Sequence, residues 1–213
     1  MQRSPLVYFL FFVSGITALI YEIVWTRMLT LVFGHTVFSV SVVLSAFMAG
    51  LGFGSYLFGY TVDKLSEDIP NHYSKALHLY GWIEILIFFS GGLLSLLFSN
   101  FAEVYPLFHS IIPESPSLQN LLKVVLSFTL MLIPTTFMGA TLPLISKYCV
   151  TSDERMGKQV SLLYALNTLG AALGCMITGF FLMGTFGVLQ TVLMAAVGNL
   201  IIGCLLYTSP SPR

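Results

Sequence analysis

Charge is what this sequence has least of. Asp, Glu, Lys and Arg make up 8% of its 213 residues, and the two signs cancel to a formal net charge of zero. Ordinary soluble domains carry about a quarter, so this chain cannot cover a surface that faces water. A neutral balance also removes the basic footprint that nucleic-acid binding requires. Cysteine is scarce: Cys149, Cys175 and Cys204 are scattered, without CxxC spacing, which favours neither a disulfide framework nor a zinc site. Polar–apolar alternation is missing, which excludes a transmembrane β-barrel. No nucleophile–base pair, metal cluster, cofactor motif or phosphate-binding loop is visible, so the chain offers no catalytic residue. His35, His72, His78 and His109 fall at helix ends or in loops, far apart. Gly50 and Gly54 imitate a nucleotide loop only superficially, because they lie inside an apolar run.

What the sequence does have is long apolar runs. Hydrophobic residues reach 56%, and a span needs roughly 20 of them in a row. Continuous runs predict an all-α bundle of six transmembrane helices: about Leu6 to Phe33, Val37 to Val62, Lys75 to Ser99, Leu118 to Tyr148, Lys158 to Met183 and Leu189 to Leu206. In lipid the backbone must satisfy its own hydrogen bonds, which helices do. The first run starts too near Met1, is too long, and lacks the small-residue cleavage site of a signal peptide.

Lys and Arg in short loops set orientation. Arg3 precedes the first run, Lys64 and Lys75 flank the loop after the second, and Lys147, Arg155 and Lys158 flank the loop after the fourth. The connections around Gly34, Pro106 and Gly187 contain neither residue. This asymmetry predicts that both chain ends face the cytoplasm and that the segment from Asn100 to Ser117 is external.

One spacing occurs twice. The second run carries Gly50, Gly54 and Gly59, the fifth Gly170, Gly174 and Gly179, both GxxxGxxxxG. Glycines four apart let membrane helices approach closely. Matched motifs three helices apart, on spans that run in opposite directions, suggest an inverted three-plus-three repeat, as in one half of a major-facilitator transporter. Chance in a glycine-rich chain is the competing explanation.

Ionisable groups inside a span are costly and mark functional candidates. Glu84 lies nine residues past Lys75, about 14 Å into the span at 1.5 Å per residue and near the middle of an apolar core roughly 30 Å thick. Its helical neighbours Tyr80, Gly81, Ile87 and Phe88 include no cation. It must be protonated, face water, or pair with another helix. Asn167 and Asn199 fall at similar depth and could line one polar site with it; alone, each is ordinary interhelical glue. Glu22 is a further candidate, near the outer end of the first run. Arg27, five residues on, is off its i,i+4 position and can snorkel outward, as can Lys123. Tyr21 and Trp25 suit the interfacial aromatic belt. Pro134 and Pro143 each remove a backbone donor from the fourth run and are candidate hinges.

Four segments carry a resemblance. They are Ser14-Gly15 leading into Leu19-Ile20-Tyr21-Glu22-Ile23-Val24-Trp25-Thr26-Arg27; Phe47-Met48-Ala49-Gly50-Leu51-Gly52-Phe53-Gly54-Ser55-Tyr56; Met138-Gly139-Ala140-Thr141-Leu142-Pro143; and Leu163-Tyr164-Ala165-Leu166-Asn167-Thr168-Leu169-Gly170-Ala171-Ala172-Leu173-Gly174. In this order they resemble the N-terminal membrane portion of fused membrane/spermidine-synthase-like proteins of bacteria, over about Val7 to Gly203. Gly59-Tyr60-Thr61-Val62-Asp63-Lys64 is similar to a degraded loop motif of major-facilitator transporters, without its later Gly and basic pair. The resemblance implies a bacterial inner-membrane location and a soluble aminopropyltransferase-like domain beyond the membrane part, with a decarboxylated adenosylmethionine-type donor and a polyamine acceptor. None of that domain's motifs occur here. The stretch from Tyr207 to Arg213 resembles translated adapter read-through, so residues 1–206 are expected to form the membrane domain and 207–213 a non-native tail.

Two functions follow as expectations. One is a transporter-like bundle for a small cation, with polyamine as a candidate, completed by a second six-helix half or a homodimer partner. The other is a membrane anchor for an enzyme domain.

Overall fold

In the computed structural model, residues 5–68, 72–100, 115–150 and 153–208 are described. Six helices there are long and apolar enough to cross a membrane. They are α1 (Pro5–Phe33), α2 (Thr36–Asp68), α3 (His72–Ser99), α4 (Pro116–Cys149), α5 (Asp153–Ile177) and α6 (Val188–Thr208). No strand occurs among the described residues. The chain is therefore a polytopic membrane bundle. The helices match the apolar runs, with α2 extending beyond Val62 and α5 continuing through a π-helical turn (Thr178–Leu182) and a last α-turn (Met183–Phe186). Within that region Thr178 Oγ1 donates to the Gly174 carbonyl at 2.7 Å, a side-chain bond that competes with the backbone ladder and favours bending.

Two reversals are made by glycine. Gly34, between α1 and α2, and Gly187, ahead of α6, have φ of 71° and 80°. Each donates its N–H to the carbonyl four residues back, closing the preceding helix in the left-handed region that glycine tolerates. Of the segment expected to be external, residues 101–114 lie outside the described residues, and so do His109 and Pro106. His78 sits inside α3 rather than at a helix end, with its ring edge-on to Tyr207.

The packing is paired. α2 lies on α4 and α1 on α5; α3 meets α4, and α1 meets α6; α3 and α6 cross each other. Exchanging α1 with α4, α2 with α5 and α3 with α6 returns the same principal pairs. An inverted three-plus-three repeat would produce the same exchange.

Glycine makes each close crossing. A side chain at Gly50 or Gly54 would strike Thr135 or the Thr136 carbonyl of α4, and one at Gly139 would strike the backbone of Leu51. In the partner pair, Gly170 and Gly174 face the carbonyls of Phe12 and Ile16 on α1, and Gly15 faces Asn167. Two glycines from one helix and one from the other thus seat both crossings. Gly59 and Gly179 differ: a side chain there would meet nothing within 4 Å. The repeated spacing runs one glycine further than the contact, because the five-residue step to the third glycine turns it off the seam.

Helix α4 runs unbroken through Pro134 and Pro143. Pro143 has no N–H for the Gly139 carbonyl one turn back. Ser55 of α2 supplies the missing donor, its Oγ reaching that carbonyl at 2.9 Å. Pro143 therefore lies beside a tie between helices.

Tyr21 and Trp25 are core residues, each fully buried, and not members of an interfacial belt. Trp25 Nε1 donates to Ser95 Oγ at 2.9 Å, and its ring packs against Tyr21 and Phe47 with centroids 5.1 and 6.1 Å away. A polar tip satisfied inside the bundle removes the reason for a Trp to seek the interface.

Candidate functional site

Glu84 is fully buried. Helix α3 presents it one turn after Tyr80, on a face that also carries Ile83 and Ile87 into the core. Two helices reach it from opposite sides in sequence. Ser14 of α1 donates Oγ–H to Oε1 at 2.6 Å, and Asn199 of α6 lies 2.5 Å from Oε2 through its amide. The carboxyl thus joins α1, α3 and α6. Among the described residues no cation pairs with it.

Small residues let the three helices close around the acid. A Cβ at Gly203 would come 2.8 Å from the Gly81 carbonyl, one at Gly91 would come 2.8 Å from the Tyr21 ring, and one at Gly198 would come 3.0 Å from Thr17 Cγ2. Phe11 packs edge-on to Tyr80 with ring centroids 6.2 Å apart.

Beside Glu84, three buried polar atoms lack a hydrogen-bond partner: Tyr21 Oη, Tyr80 Oη and Asn199 Oδ1. Both phenols are within electrostatic reach of the acid, and the Tyr80 hydroxyl comes close to Glu84 and Ser14 without well-formed hydrogen-bond geometry. A buried polar group without a partner costs about 1–3 kcal/mol, so three around one acid mark a site short of hydrogen-bonding capacity. Its chemistry is oxygen-rich and without positive charge. It can hold a proton, or a small cation offering N–H donors. Among the described residues no group of three or more His, Cys, Asp or Glu could hold a metal ion.

Sequence reasoning placed Glu84 and Asn199 at one depth, and they touch. Asn167 does not join them; it is half-buried against Gly15 on the α1–α5 seam. Glu22 is half-buried on α1, eight residues past Ser14 and so about 12 Å further along the helix axis. Pro134 and Pro143 lie on α4, which supplies no hydrogen bond to the acid. Ser14, Tyr21 and Tyr80 were not foreseen as site residues. Tyr80 had a readable signal, its i−4 position from Glu84; Ser14 had only its place beside Gly15. Cys149 is buried, while Cys175 and Cys204 are exposed on the bundle surface, and none of the three is in a disulfide.

Comparison with known proteins gives no match: no family model, curated protein or solved structure is similar to this chain.

Proposed function

We propose that this bundle is the membrane domain of a spermidine-synthase-like fusion protein, and that it is transporter-like, handling a small cation such as a polyamine with Glu84 as principal ligand or proton carrier. The observation behind this reading is the fully buried Glu84, without a cationic partner, among three unpartnered polar oxygens. A carboxylate attracts an ammonium far more strongly in low dielectric than in water, and transporter sites tend to lie near the midplane between repeats. The loop charges favour both ends in the cytoplasm, and the resemblance of the sequence implies the bacterial inner membrane. A second six-helix half or a second copy would complete the unit. The test is uptake of labelled polyamine into vesicles holding the full protein, with Glu84 intact and with Glu84→Gln. Equal uptake by both removes Glu84 from the mechanism.

A second reading, a membrane anchor for an aminopropyltransferase-like domain, draws on one observation. Both carboxyl oxygens of Glu84 already engage neighbouring helices, which suits a purely structural tie. On that reading Glu84→Gln alters stability alone.

A further inference from the structure

We infer that the resident occupant of the Glu84 site is a proton: the carboxyl is held un-ionised, with its O–H donated to the amide oxygen of Asn199. This deepens the proposed function and rests on it only for the cation that would compete.

Geometry carries the inference. Asn199 and Glu84 Oε2 are 2.5 Å apart. N–H···O bonds span about 2.7–3.2 Å, whereas O–H···O bonds reach down to about 2.5 Å. A separation this short suits a bond between two oxygens. A carboxamide turned end for end keeps its shape, and the hydrogen-bond network decides which end faces which partner. Facing Oδ1 toward Glu84 also gives that oxygen a partner. As an N–H donor to Oε2, the amide leaves Asn199 Oδ1 buried without a partner. Turned, Oδ1 accepts from the carboxyl.

The acid is then satisfied on both sides. Its carbonyl oxygen, Oε1, accepts from Ser14 at 2.6 Å; its hydroxyl oxygen, Oε2, gives its proton to Asn199. An ionised carboxylate here would hold a full charge among neutral groups. The groups facing it are Tyr21 from α1 and Tyr80 from its own helix, with Cys149 of α4 beyond Tyr80; α6 contributes only the neutral Asn199. None is cationic, and an uncompensated charge away from water is strongly disfavoured.

The consequence is an exchange. When an amine enters, the O–H bond of Glu84 breaks, its electron pair stays on Oε2, the carboxylate pairs with the ammonium, and the proton leaves to solvent. At the carboxyl one positive charge replaces another, an ammonium group for a proton.

Two measurements on the full chain in lipid nanodiscs test this. Infrared spectra at neutral pH, with glutamate labelled in its carboxyl carbon, should show an un-ionised carbonyl stretch. That band should vanish in Glu84→Gln and move to higher frequency in Asn199→Leu. A wild-type spectrum with no un-ionised glutamate band overturns the inference, and it does so without any variant having to fold. The second measurement adds spermidine in weak buffer and follows pH. Proton release matching amine bound supports the exchange. Amine bound without release overturns the inference while leaving cation handling intact. No amine bound, with the un-ionised band present, upholds the proton site and sinks the amine reading alone.

Discussion

Gly54 and Gly59 lie five residues apart on one helix and should respond oppositely to the same change. A methyl at Gly54 meets the Thr136 carbonyl and the Gly139 backbone of α4. Backbone cannot swing aside, so α2 and α4 must part by about 1 Å to restore normal contact, forfeiting a quarter to a half of the dispersion well at each lost atom pair. Overpacking of this kind costs about 1–3 kcal/mol. The intrinsic gain of Ala over Gly in a helix, about 1 kcal/mol, offsets part of it. Gly59→Ala meets nothing within 4 Å and keeps the gain of about 1 kcal/mol undiminished. The two variants should therefore differ by about 1–3 kcal/mol, with Gly59→Ala the more stable. Reversible unfolding in mixed detergent micelles measures this, and Gly174→Ala and Gly179→Ala repeat the comparison on α5. If Gly54→Ala and Gly59→Ala unfold at the same denaturant fraction, the seam does not lie where it is drawn.

Other consequences are local. Ser55→Ala should cost about 0.6–1.7 kcal/mol, the range of interhelical hydrogen bonds in membranes, and the penalty should shrink in a Pro143→Ala background, where residue 143 regains an N–H for the Gly139 carbonyl; a double-mutant cycle in the same unfolding assay reads the coupling. Trp25 is fully buried and Trp82 is 54% exposed, so brominated lipid should quench fluorescence from Trp82 and spare Trp25. Trp25→Phe and Trp82→Phe separate the two signals, and strong quenching in Trp82→Phe would return Trp25 to the interface. Ser14→Ala should leave Oε1 of Glu84 without its donor, costing about 1–3 kcal/mol in thermal unfolding, while Ser14→Thr keeps a hydroxyl and most of the stability.

The helices were readable because a span in lipid has to be a long apolar run, and length survives without any knowledge of neighbours. Depth was readable for the same reason, which is why Glu84 and Asn199 could be set level. Rotation about the helix axis was not. Asn167 shares the computed depth yet points to the α1–α5 seam, and nothing in a run of apolar residues fixes which side faces which helix. The glycine spacing revealed two of three contacts on each helix and overran the third. Tyr21 and Trp25 misled because aromatic side chains near the end of a run read as an interface signal, whereas α1 is 29 residues long and buries both. Ser14 was invisible, since a lone serine in a membrane helix ordinarily bonds its own backbone, as Thr26 and Thr30 do here.

The most direct test of the central claim is equilibrium binding of labelled spermidine to the detergent-purified full protein, comparing wild type, Glu84→Gln and Asn167→Ala. If Glu84 is the ligand, Glu84→Gln weakens binding at least tenfold, about 1.4 kcal/mol, and Asn167→Ala binds as wild type does. Undiminished binding by Glu84→Gln would contradict the account.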